Sequence, residues 1–394
     1  MSSKRVKKRQ SSTGQHSPDK FILLFLIVMA IFGAIMIYDA SVYKANQDFG
    51  NQFYFLGQQL LWLLLGSIPA FFFYIIDYRK LLKLALPGLI VIIALLALVL
   101  LFGTESNGAK RWFQIGPIPP IQPAEFAKLA IVMYFSSWLA KKDYSYTKFE
   151  DALKKGFLRN LAGFLAILGT VAILILLEPD LGTTIIIGVT TFAMFFVSGK
   201  DKAHNVGSLA IVLLSIPIVI IAAILEPYRL DRIKTYLTLI FTGEVSDPMG
   251  SGYQMQQILI GIGSGGFWGK GFGQSRQRFG YLVENTAHTD SIFAVILEEL
   301  GLWGGALIVF SWIFFLWRGF KIALSAADRE GQLLATGITI WLTCQAFFNM
   351  AANVGLIPLT GIPLPFLTYG GSSTIVTLIA FGLLLNVSRY TKHA

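Results

Sequence analysis

Long runs of apolar residues recur along this chain from Phe21 almost to its end. Each run has the roughly 17 to 25 residues that a helix needs to cross the hydrocarbon core of a bilayer. Inside a bilayer only helices and closed barrels satisfy their own backbone hydrogen bonds, and runs of this length indicate helices. Hydrophobic residues make up 55% of the chain and charged residues only 14%, unlike a soluble domain. The sequence therefore predicts an all-α polytopic membrane protein.

The runs predict about ten transmembrane helices. The expected spans are residues 21–39, 53–76, 84–102, 123–140, 160–177, 181–198, 205–225, 291–317, 330–352 and 364–388. We expect a basic cytoplasmic tail over residues 1–20 and a single ten-helix domain over residues 21–394. A large extracytoplasmic loop, residues 226–290, joins helices seven and eight, and connections of this length are more often functional than mere links. No convincing internal repeat is visible, which disfavours a transporter built from inverted repeats.

The placement of charge predicts the orientation. The chain carries 32 Lys and Arg against 22 Asp and Glu, a net charge of +10. With the N-terminus inside, about 22 of the basic residues fall in cytoplasmic segments and about 9 outside, in agreement with the positive-inside rule. Both termini are therefore predicted to be cytoplasmic, and the basic charge needs no nucleic acid to explain it. The single Cys344 lies in an apolar run and is expected to be a packing residue.

Charged residues inside or beside the spans are the candidate functional groups, because each costs roughly 2.5 to 3.5 kcal/mol at a helix centre unless it is paired or hydrated. Glu125 and Lys128 lie three residues apart and share a helix face. They could form a structural ion pair or line a cavity for a charged substrate, and we favour the cavity. Lys110 and Arg111 precede them in an outer loop, where they suit either lipid headgroups or a phosphate.

The segment Glu178-Pro179-Asp180 separates two apolar runs. Asp180 is expected to cap the helix that follows. Glu178 beside it would double the negative charge and favours a second role in binding a cation or polar sugar groups. In the small-residue run that opens the tenth predicted helix, Ser372 could serve helix packing or line a cavity.

The long loop ends in His288, Thr289 and Asp290, directly before the eighth predicted helix. Asp290 could be a helix cap or a general base for a sugar hydroxyl. His288 alone is weak evidence for a metal site, since such sites need more ligands. Farther along the helix, Glu298 and Glu299 are expected to pair with Lys or backbone groups. The glycine-rich middle of the loop suits an interfacial helix or a re-entrant hairpin better than an ordinary span.

Eight motifs in a fixed order resemble the SEDS family of peptidoglycan glycosyltransferases, which includes FtsW, RodA and SpoVE. The motifs are GAKRW, QPAEFAK, EPDLGT, PYRLDRI, DPMGSGYQ, GSGGFWGKGFG, AHTDSIFAVILEELG and PLPFLTYGGSS. The similarity runs from about Tyr38 to Asn386, and PYRLDRI and PFLTYGGSS are closer to FtsW than to RodA. The resemblance implies an enzyme that polymerises lipid II into glycan strands with inversion, for septal cell-wall synthesis in cell division. Its location would be the bacterial inner membrane at the division septum.

The resemblance also implies roles for particular residues. Asp290 would be the catalytic base, and the expected substrate-binding residues are Lys110, Arg111, Glu125, Lys128, Asp180, His288, Thr289 and Ser372. A divalent cation, Mg²⁺ or Mn²⁺, could act as cofactor, although the sequence shows no closed ligand set. The implied partners are lipid II, an undecaprenyl-diphosphate-linked glycan, a class B penicillin-binding protein similar to FtsI, and other divisome proteins.

Three alternatives stay open at the level of sequence. One is a RodA-like elongation polymerase, and another is a lipid II flippase or other transporter, which could use the same intramembrane charges. The third is a non-catalytic division scaffold. The chain departs from the family pattern at Asp39, where a Ser is common, and at Ala124, Val283 and Ser291. None of these departures removes a charged residue that is expected to act.

Overall fold

The computed structural model describes residues 16–106, 109–115, 118–141, 157–199, 204–209, 213, 217, 227–243, 251–276 and 287–391. Its helices and strands are numbered here in chain order. The helices are α1 (Lys20–Phe49), α2 (Tyr54–Ile75), α3 (Tyr78–Leu82), α4 (Ala85–Phe102), α5 (Pro123–Ala140), α6 (Phe157–Leu177), α7 (Leu181–Ser198), α8 (Pro227–Thr242), α9 (Ser251–Gly265), α10 (Ile292–Ser325), α11 (Arg329–Asn353) and α12 (Gly371–Ser388). The strands are β1 (Thr104–Ser106), β2 (Ala109–Ile115) and β3 (Ile118–Ile121).

Among the described residues, eight helices are long and apolar enough to cross a membrane: α1, α2, α4, α6, α7, α10, α11 and α12. They correspond to eight of the ten predicted spans. The fourth predicted span is present as α5, but Glu125 and Lys128 make it less apolar, and most of its residues are buried inside the protein. The seventh predicted span lies largely outside the described residues, as does the basic tail. The chain is thus a polytopic, mainly helical membrane protein.

Glycines allow the two most extensively packed helices, α2 and α12, to approach closely. A Cβ on Gly382 would lie 2.4 Å from the carbonyl oxygen of Ala70, and one on Gly66 would lie 2.7 Å from Leu378. Lipid tails are as apolar as the helix surfaces, so close packing of small residues takes over much of the role that the hydrophobic effect has in water. Together with its contacts to α11 and α5, this contact encloses α12, which is the most buried of the eight spans.

Both termini of the described chain lie at one end of the bundle, which we call the terminal end. There the backbone N–H of Asp19 donates to Ser388 Oγ (3.0 Å), and Arg318 forms an ion pair with Asp19 (2.6 Å). At the same end Arg79 Nε donates to Asp328 Oδ2 (2.6 Å). The connections after α2, α10 and α12 therefore share one face, in agreement with the expectation that the two termini lie on the same side of the membrane.

A small antiparallel sheet of order β1-β2-β3 lies at the opposite end of the bundle, which we call the site end. The sequence predicts an outer loop here that is rich in glycine and proline. The structure instead gives a three-stranded sheet with irregular register in both strand pairs. The sheet packs against α4 and the start of α12, so it forms part of the wall around the site end.

The backbone of α10 is interrupted at Gly301 (φ 67°). The freed carbonyl groups of Glu298 and Glu299 accept hydrogen bonds from the backbone N–H groups of Lys270 and Gly271, both at 3.0 Å. The donors belong to a segment that we call the glycine turn, residues 266–276, which follows α9. A short helix followed by a turn packed on a span agrees with the expected interfacial or re-entrant segment and excludes an ordinary span.

The glycine turn also neutralises one of the two acids of α10. Lys270 Nζ lies 2.6 Å from Glu298 Oε1, Ser275 Oγ donates to Glu298 Oε2 (2.6 Å), and the N–H of Arg276 donates to Oε1 (3.2 Å). The prediction that this acid pairs with Lys and backbone groups is confirmed. Because a charged group at this depth needs partners, the acid and the turn hold each other in place.

We expect the site end to face the outside. In a Cys344→Ser background, the exposed Gln274 replaced by Cys should react with a membrane-impermeant maleimide in spheroplasts with an intact membrane. The exposed Lys83 replaced by Cys should react only after permeabilisation, because the positive-inside rule places its loop in the cytoplasm. Labelling of the Lys83 variant in sealed spheroplasts would reverse this orientation.

Candidate active site

A stripe of amide side chains on α11 organises the site end. Gln345, Asn349 and Asn353 recur every four residues, so they lie above one another on one helix face. Asn349 is twenty residues beyond Arg329 at the terminal end, about 30 Å along the helix. That distance matches the roughly 30 Å thickness of the hydrocarbon core. Asn349 and Asn353 therefore lie near the boundary of the hydrocarbon core at the site end.

Asp290 is held through its main chain by two of these amides. Asn349 Nδ2 and Asn353 Nδ2 each donate to the carbonyl oxygen of Asp290, both at 2.9 Å. Asn349 Nδ2 donates as well to the carbonyl oxygen of Ile362 (2.8 Å). The two amides thus connect the segment before α10 with the segment before α12.

The carboxyl group of Asp290 is half-buried and does not cap a helix. Ser291 occupies the N-cap position of α10, and no side-chain hydrogen bond caps the helix there. Asp290 Oδ2 lies beside Gly361, since a Cβ on that glycine would be 3.5 Å away. The capping alternative for Asp290 is therefore wrong, because the chain turns before the helix begins and directs the carboxyl toward residues 359–361.

Burial raises the pKa of Asp290 to about 6; the positive charge of Arg232 opposes this rise, and the negative charge of Asp180 adds to it. Arg232, on α8, donates from Nη1 to the carbonyl oxygen of Leu359 (3.2 Å). Its side chain therefore contacts the segment that contains Gly361. A carboxyl with a pKa just below neutrality is mostly ionised at pH 7 yet is a stronger base than an exposed one. This is the protonation behaviour that a general base needs.

His288 and Thr289 are fixed in the segment before α10 by ring packing and by a hydrogen bond. The His288 ring is buried and packs on Phe55, with centroids 4.4 Å apart. Burial, aided by the charge of Lys44, lowers the pKa of His288 to about 4, so the ring is neutral. The hydroxyl of Thr368 donates to the carbonyl oxygen of Thr289 (3.1 Å). Direct substrate contacts by His288 and Thr289 stay predictions.

Asp180 joins the starts of three helices. Its Oδ1 accepts from the backbone N–H of Thr183 (2.9 Å), so the predicted cap of α7 is confirmed. Gln122 Nε2 donates to Asp180 Oδ2 (3.3 Å), and the backbone N–H of Gln122 donates to Ser372 Oγ (3.0 Å). Gln122 precedes α5 and Ser372 begins α12. These contacts bring two predicted site residues, Asp180 and Ser372, to one place.

Arg111 fixes the sheet to the turn between α6 and α7. Its Nε donates to the carbonyl oxygen of Glu178 (2.6 Å), and its Nη2 donates to that of Pro179 (2.9 Å). The Glu178 side chain is fully buried, and this burial, with the nearby charge of Asp180, raises its pKa to about 8 against the opposing charge of Arg111. Burial therefore favours the protonated form of Glu178, which opposes the expected doubling of negative charge at this turn. Lys110 is exposed on β2, and its contact with substrate stays a prediction.

Glu125 and Lys128 form a buried ion pair with a nitrogen–oxygen distance of 2.8 Å. Lys128 Nζ also donates to Gln345 Oε1 (2.8 Å), which accepts in addition from Trp341 Nε1 (2.9 Å). Both charged side chains are at least 95% buried. The structure thus gives the pair a role in packing, whereas its expected contact with a charged substrate stays a prediction.

Sequence reasoning missed the residues that hold these groups. They are Gln122, Arg232, Gln345, Asn349 and Asn353. One signal was available, because three amides at four-residue spacing inside an apolar run mark a polar helix face. Arg232 carried no such signal. Among the residues that the structure describes, no group of three or more His, Cys, Asp and Glu side chains could hold a metal ion.

Comparison with known proteins identifies relatives over nearly the whole chain. The model of a family described as cell cycle protein, which unites FtsW, RodA and SpoVE, matches residues 19–393. Stage V sporulation protein E of Bacillus subtilis is 39% identical over 385 residues, 97% of this chain and 100% of its own length. The probable peptidoglycan glycosyltransferase FtsW of Trichlorobacter lovleyi is 37% identical over 381 residues, 95% of this chain and 94% of its own length.

Solved structures share the fold. A chain from a peptidoglycan synthase complex, studied for the coordination of polymerization and crosslinking, superimposes with a TM-score of 0.74 at 27% identity. It covers 96% of this chain and 99% of its own. The rod shape-determining protein RodA of Thermus thermophilus gives a TM-score of 0.64 at 26% identity, with 96% of this chain and 98% of its own covered.

Replacing one member of the buried ion pair should destabilise the protein strongly. Lys128→Met leaves the Glu125 carboxylate buried without its charge partner, and such a change costs about 3 to 5 kcal/mol. The double variant Glu125→Gln with Lys128→Met should recover most of this loss. Thermal unfolding in detergent measures both. A Lys128→Met variant as stable as the wild type would contradict a structural role, and a stable but inactive double variant would support contact with substrate.

Proposed function

The chain belongs to the FtsW, RodA and SpoVE family of cell cycle proteins and is a peptidoglycan glycosyltransferase, and we propose that it polymerises lipid II with Asp290 as the general base. The observation that supports this role is the geometry of Asp290. Its half-buried carboxyl lies at the site end, which we place at the outer boundary of the membrane, and burial and the charges of Arg232 and Asp180 give it a pKa of about 6. A lipid-linked sugar reaches this level while its polyprenyl chain stays in the bilayer.

The proposed step is a single inverting displacement. The Asp290 carboxylate accepts the proton of the 4-hydroxyl on the acceptor sugar as that oxygen bonds to the anomeric carbon of the donor glycan. The bond from the anomeric carbon to the diphosphate oxygen breaks, and undecaprenyl diphosphate leaves with the electron pair. Negative charge therefore builds on the diphosphate, where cationic groups lower the barrier.

Several basic groups are candidates for stabilising the leaving diphosphate. Lys110 is exposed, whereas Arg111 and Lys128 already bind carbonyl groups and Glu125, so a role for them needs these contacts to be shared or exchanged. Arg232 is a further candidate for this role, because its positive charge acts on Asp290. The residues in the described part of the chain do not form a closed metal site. A divalent cation stays a prediction.

The cellular setting is proposed from the relatives. We place the chain in the cytoplasmic membrane with both termini inside, at the division septum, working with a class B penicillin-binding protein and other divisome proteins. The likeness to a chain of a peptidoglycan synthase complex supports a partner. The likeness to stage V sporulation protein E over its full length makes a polymerase used in sporulation a second candidate. Depletion during vegetative growth separates them, since only a division enzyme is then needed at the septum.

Asp290→Asn should abolish polymerisation and leave the fold intact. Asn keeps the size of the side chain but cannot accept the proton, and general bases contribute typically 10² to 10⁴ in rate. Because Asp290 caps no helix, stability should change little. The measurement is glycan strand length on a gel, from matched amounts of purified protein with its partner and lipid II, with and without EDTA.

Asp48→Asn is the matched control, because it removes one exposed carboxylate at the site end without touching the proposed base. It should give normal strands. Normal strands from the Asp290 variant would remove this residue as the base. Movement of lipid II headgroups across sealed vesicles without strand growth by the wild type would instead favour a flippase, and no activity of either kind would favour a scaffold.

The proposed partner can be tested by purification. Affinity-tagged chain should retain a class B penicillin-binding protein at near one-to-one yield in mild detergent, because a partner would cover part of the exposed outer surface. The polymerisation rate should rise when that protein is added back. Strong polymerisation by the chain alone, unchanged by the added protein, would contradict an obligate pair.

A further inference from the structure

We propose that Asn349 and Asn353 are positioning residues, which hold the Asp290 carboxyl in its half-buried place beside Gly361 and so set the rate of proton transfer. The inference rests on the proposed function, because it deepens the account of the same site. Neither amide needs to touch substrate. Both act through the main chain of Asp290.

The first step of the argument is the bridge made by Asn349. Its single amide nitrogen donates to the carbonyl oxygens of Asp290 (2.9 Å) and Ile362 (2.8 Å). Each hydrogen of the amide is thereby used, and each goes to a different irregular segment. Because Ile362 follows Gly361, the bridge fixes the distance between the base and the backbone beside it.

Asn353 provides the second hydrogen bond to the Asp290 carbonyl. Its Nδ2 donates to the carbonyl oxygen of Asp290 (2.9 Å) and also lies 2.9 Å from the carbonyl oxygen of Asn349, one turn earlier on the same helix. The Asp290 carbonyl therefore receives two donors from one rigid helix. Two converging bonds restrict the peptide plane more than one does, and they restrict the direction of the side chain that follows from it.

The contacts from Asn349 and Asn353 matter because the backbone around Asp290 is irregular. Residues 287–291 belong to no regular helix or strand, and α10 begins after them without a side-chain cap. The neighbouring residues His288 and Thr289 are held by the segment before α12, through bonds to their carbonyl groups from the N–H of Tyr369 (2.9 Å) and the hydroxyl of Thr368 (3.1 Å). Asp290 is the residue of the segment that depends on α11.

The stripe continues below these two residues. Gln345 Nε2 donates to the carbonyl oxygen of Pro363 (3.0 Å), and Gln345 Oε1 accepts from the buried Lys128. The segment 362–363 is therefore fixed by two amides of the same helix. Because this segment is itself held in place, the hydrogen bonds of Asn349 to Ile362 and to Asp290 can fix the position of Asp290.

Loss of the hydrogen bonds from Asn349 or Asn353 should change the pH dependence of the polymerisation rate. The charged groups that act on Asp290 are Arg232 from α8 and Asp180 at the start of α7, while the adjacent His288 is neutral. Activity of a base falls as pH drops through its pKa, which burial has raised. A released carboxyl gains water, so its pKa moves down toward the usual range and the acid limb of the rate profile moves to lower pH.

The test uses the full chain with its partner and compares Asn353→Ala and Asn349→Ala with the wild type. We expect kcat for lipid II polymerisation to fall on the order of 10- to 100-fold, as misplacement of a catalytic group by about 1 Å does. KM should change less than about 3-fold, because neither amide binds substrate. The acid limb should move to lower pH in both variants.

The matched control is Asn386→Ala. Asn386 is a fully buried amide at the terminal end, whose Nδ2 donates to the carbonyl oxygens of Phe73, Tyr74 and Ile76. Its loss should lower the unfolding temperature while the folded fraction keeps the kcat and the acid limb of the wild type. A purely structural role for Asn349 and Asn353 predicts the same behaviour.

Wild-type kcat, or an acid limb that stays in place in Asn353→Ala, would overturn the inference. Asn353→Ala leaves the Asn349 bridge intact, so it should fold even if Asn349→Ala does not. Failure of the proposed function is a separate result, seen as normal strands from Asp290→Asn or as no strands from the wild type. Strands from the wild type, none from Asp290→Asn, and slow strands with a shifted limb from Asn353→Ala would support both proposals.

Discussion

A bilayer gives no hydrogen bonds, so every backbone N–H and C=O that leaves a helix at membrane depth must find a partner inside the protein. This constraint governs the site end. The chain is irregular at residues 266–276, 287–291 and 354–370. Side-chain donors on neighbouring helices satisfy carbonyl groups in the last two segments, and the first segment is satisfied by an interrupted span. The candidate active site lies where the irregular segments 287–291 and 354–370 contact each other.

The glycine turn and the break in α10 satisfy the same constraint together, because the turn supplies the donors and the interrupted helix supplies the acceptors. The turn brings N–H groups to the carbonyls that Gly301 frees, and a Cβ on Gly269 would lie 2.1 Å from the carbonyl oxygen of Glu299. Only glycine permits this approach. The ion pair of Lys270 with Glu298 then closes the contact. As a result the first part of α10, which follows directly from Asp290, is anchored by the glycine turn as well.

The sequence predicted the features that depend on local composition. Eight spans, the cap by Asp180 and the pairing of Glu298 follow from apolar length and from the energetic demand of single polar groups. The strands at 104–121, the protonated Glu178 and the amide contacts to Asp290 depend on which distant segments meet, and no local pattern encodes that. The N-cap alternative for Asp290 was wrong for the same reason, because the helix start depends on how α11 holds the preceding carbonyl.

The electrostatics of the site end reduce to a small number of charges. His288 is neutral because burial disfavours its cation, and burial likewise favours the neutral Glu178, so the charges that act on Asp290 are those of Arg232 and Asp180. Burial raises the pKa of Asp290, and the negative charge of Asp180 adds to the rise. Arg232 opposes that rise, and its effect is stronger near the membrane than in water because less solvent screens it. In the proposed mechanism, burial makes Asp290 a stronger base while the charge of Arg232 favours its ionised form, and both effects depend on the place in which α11 holds the residue.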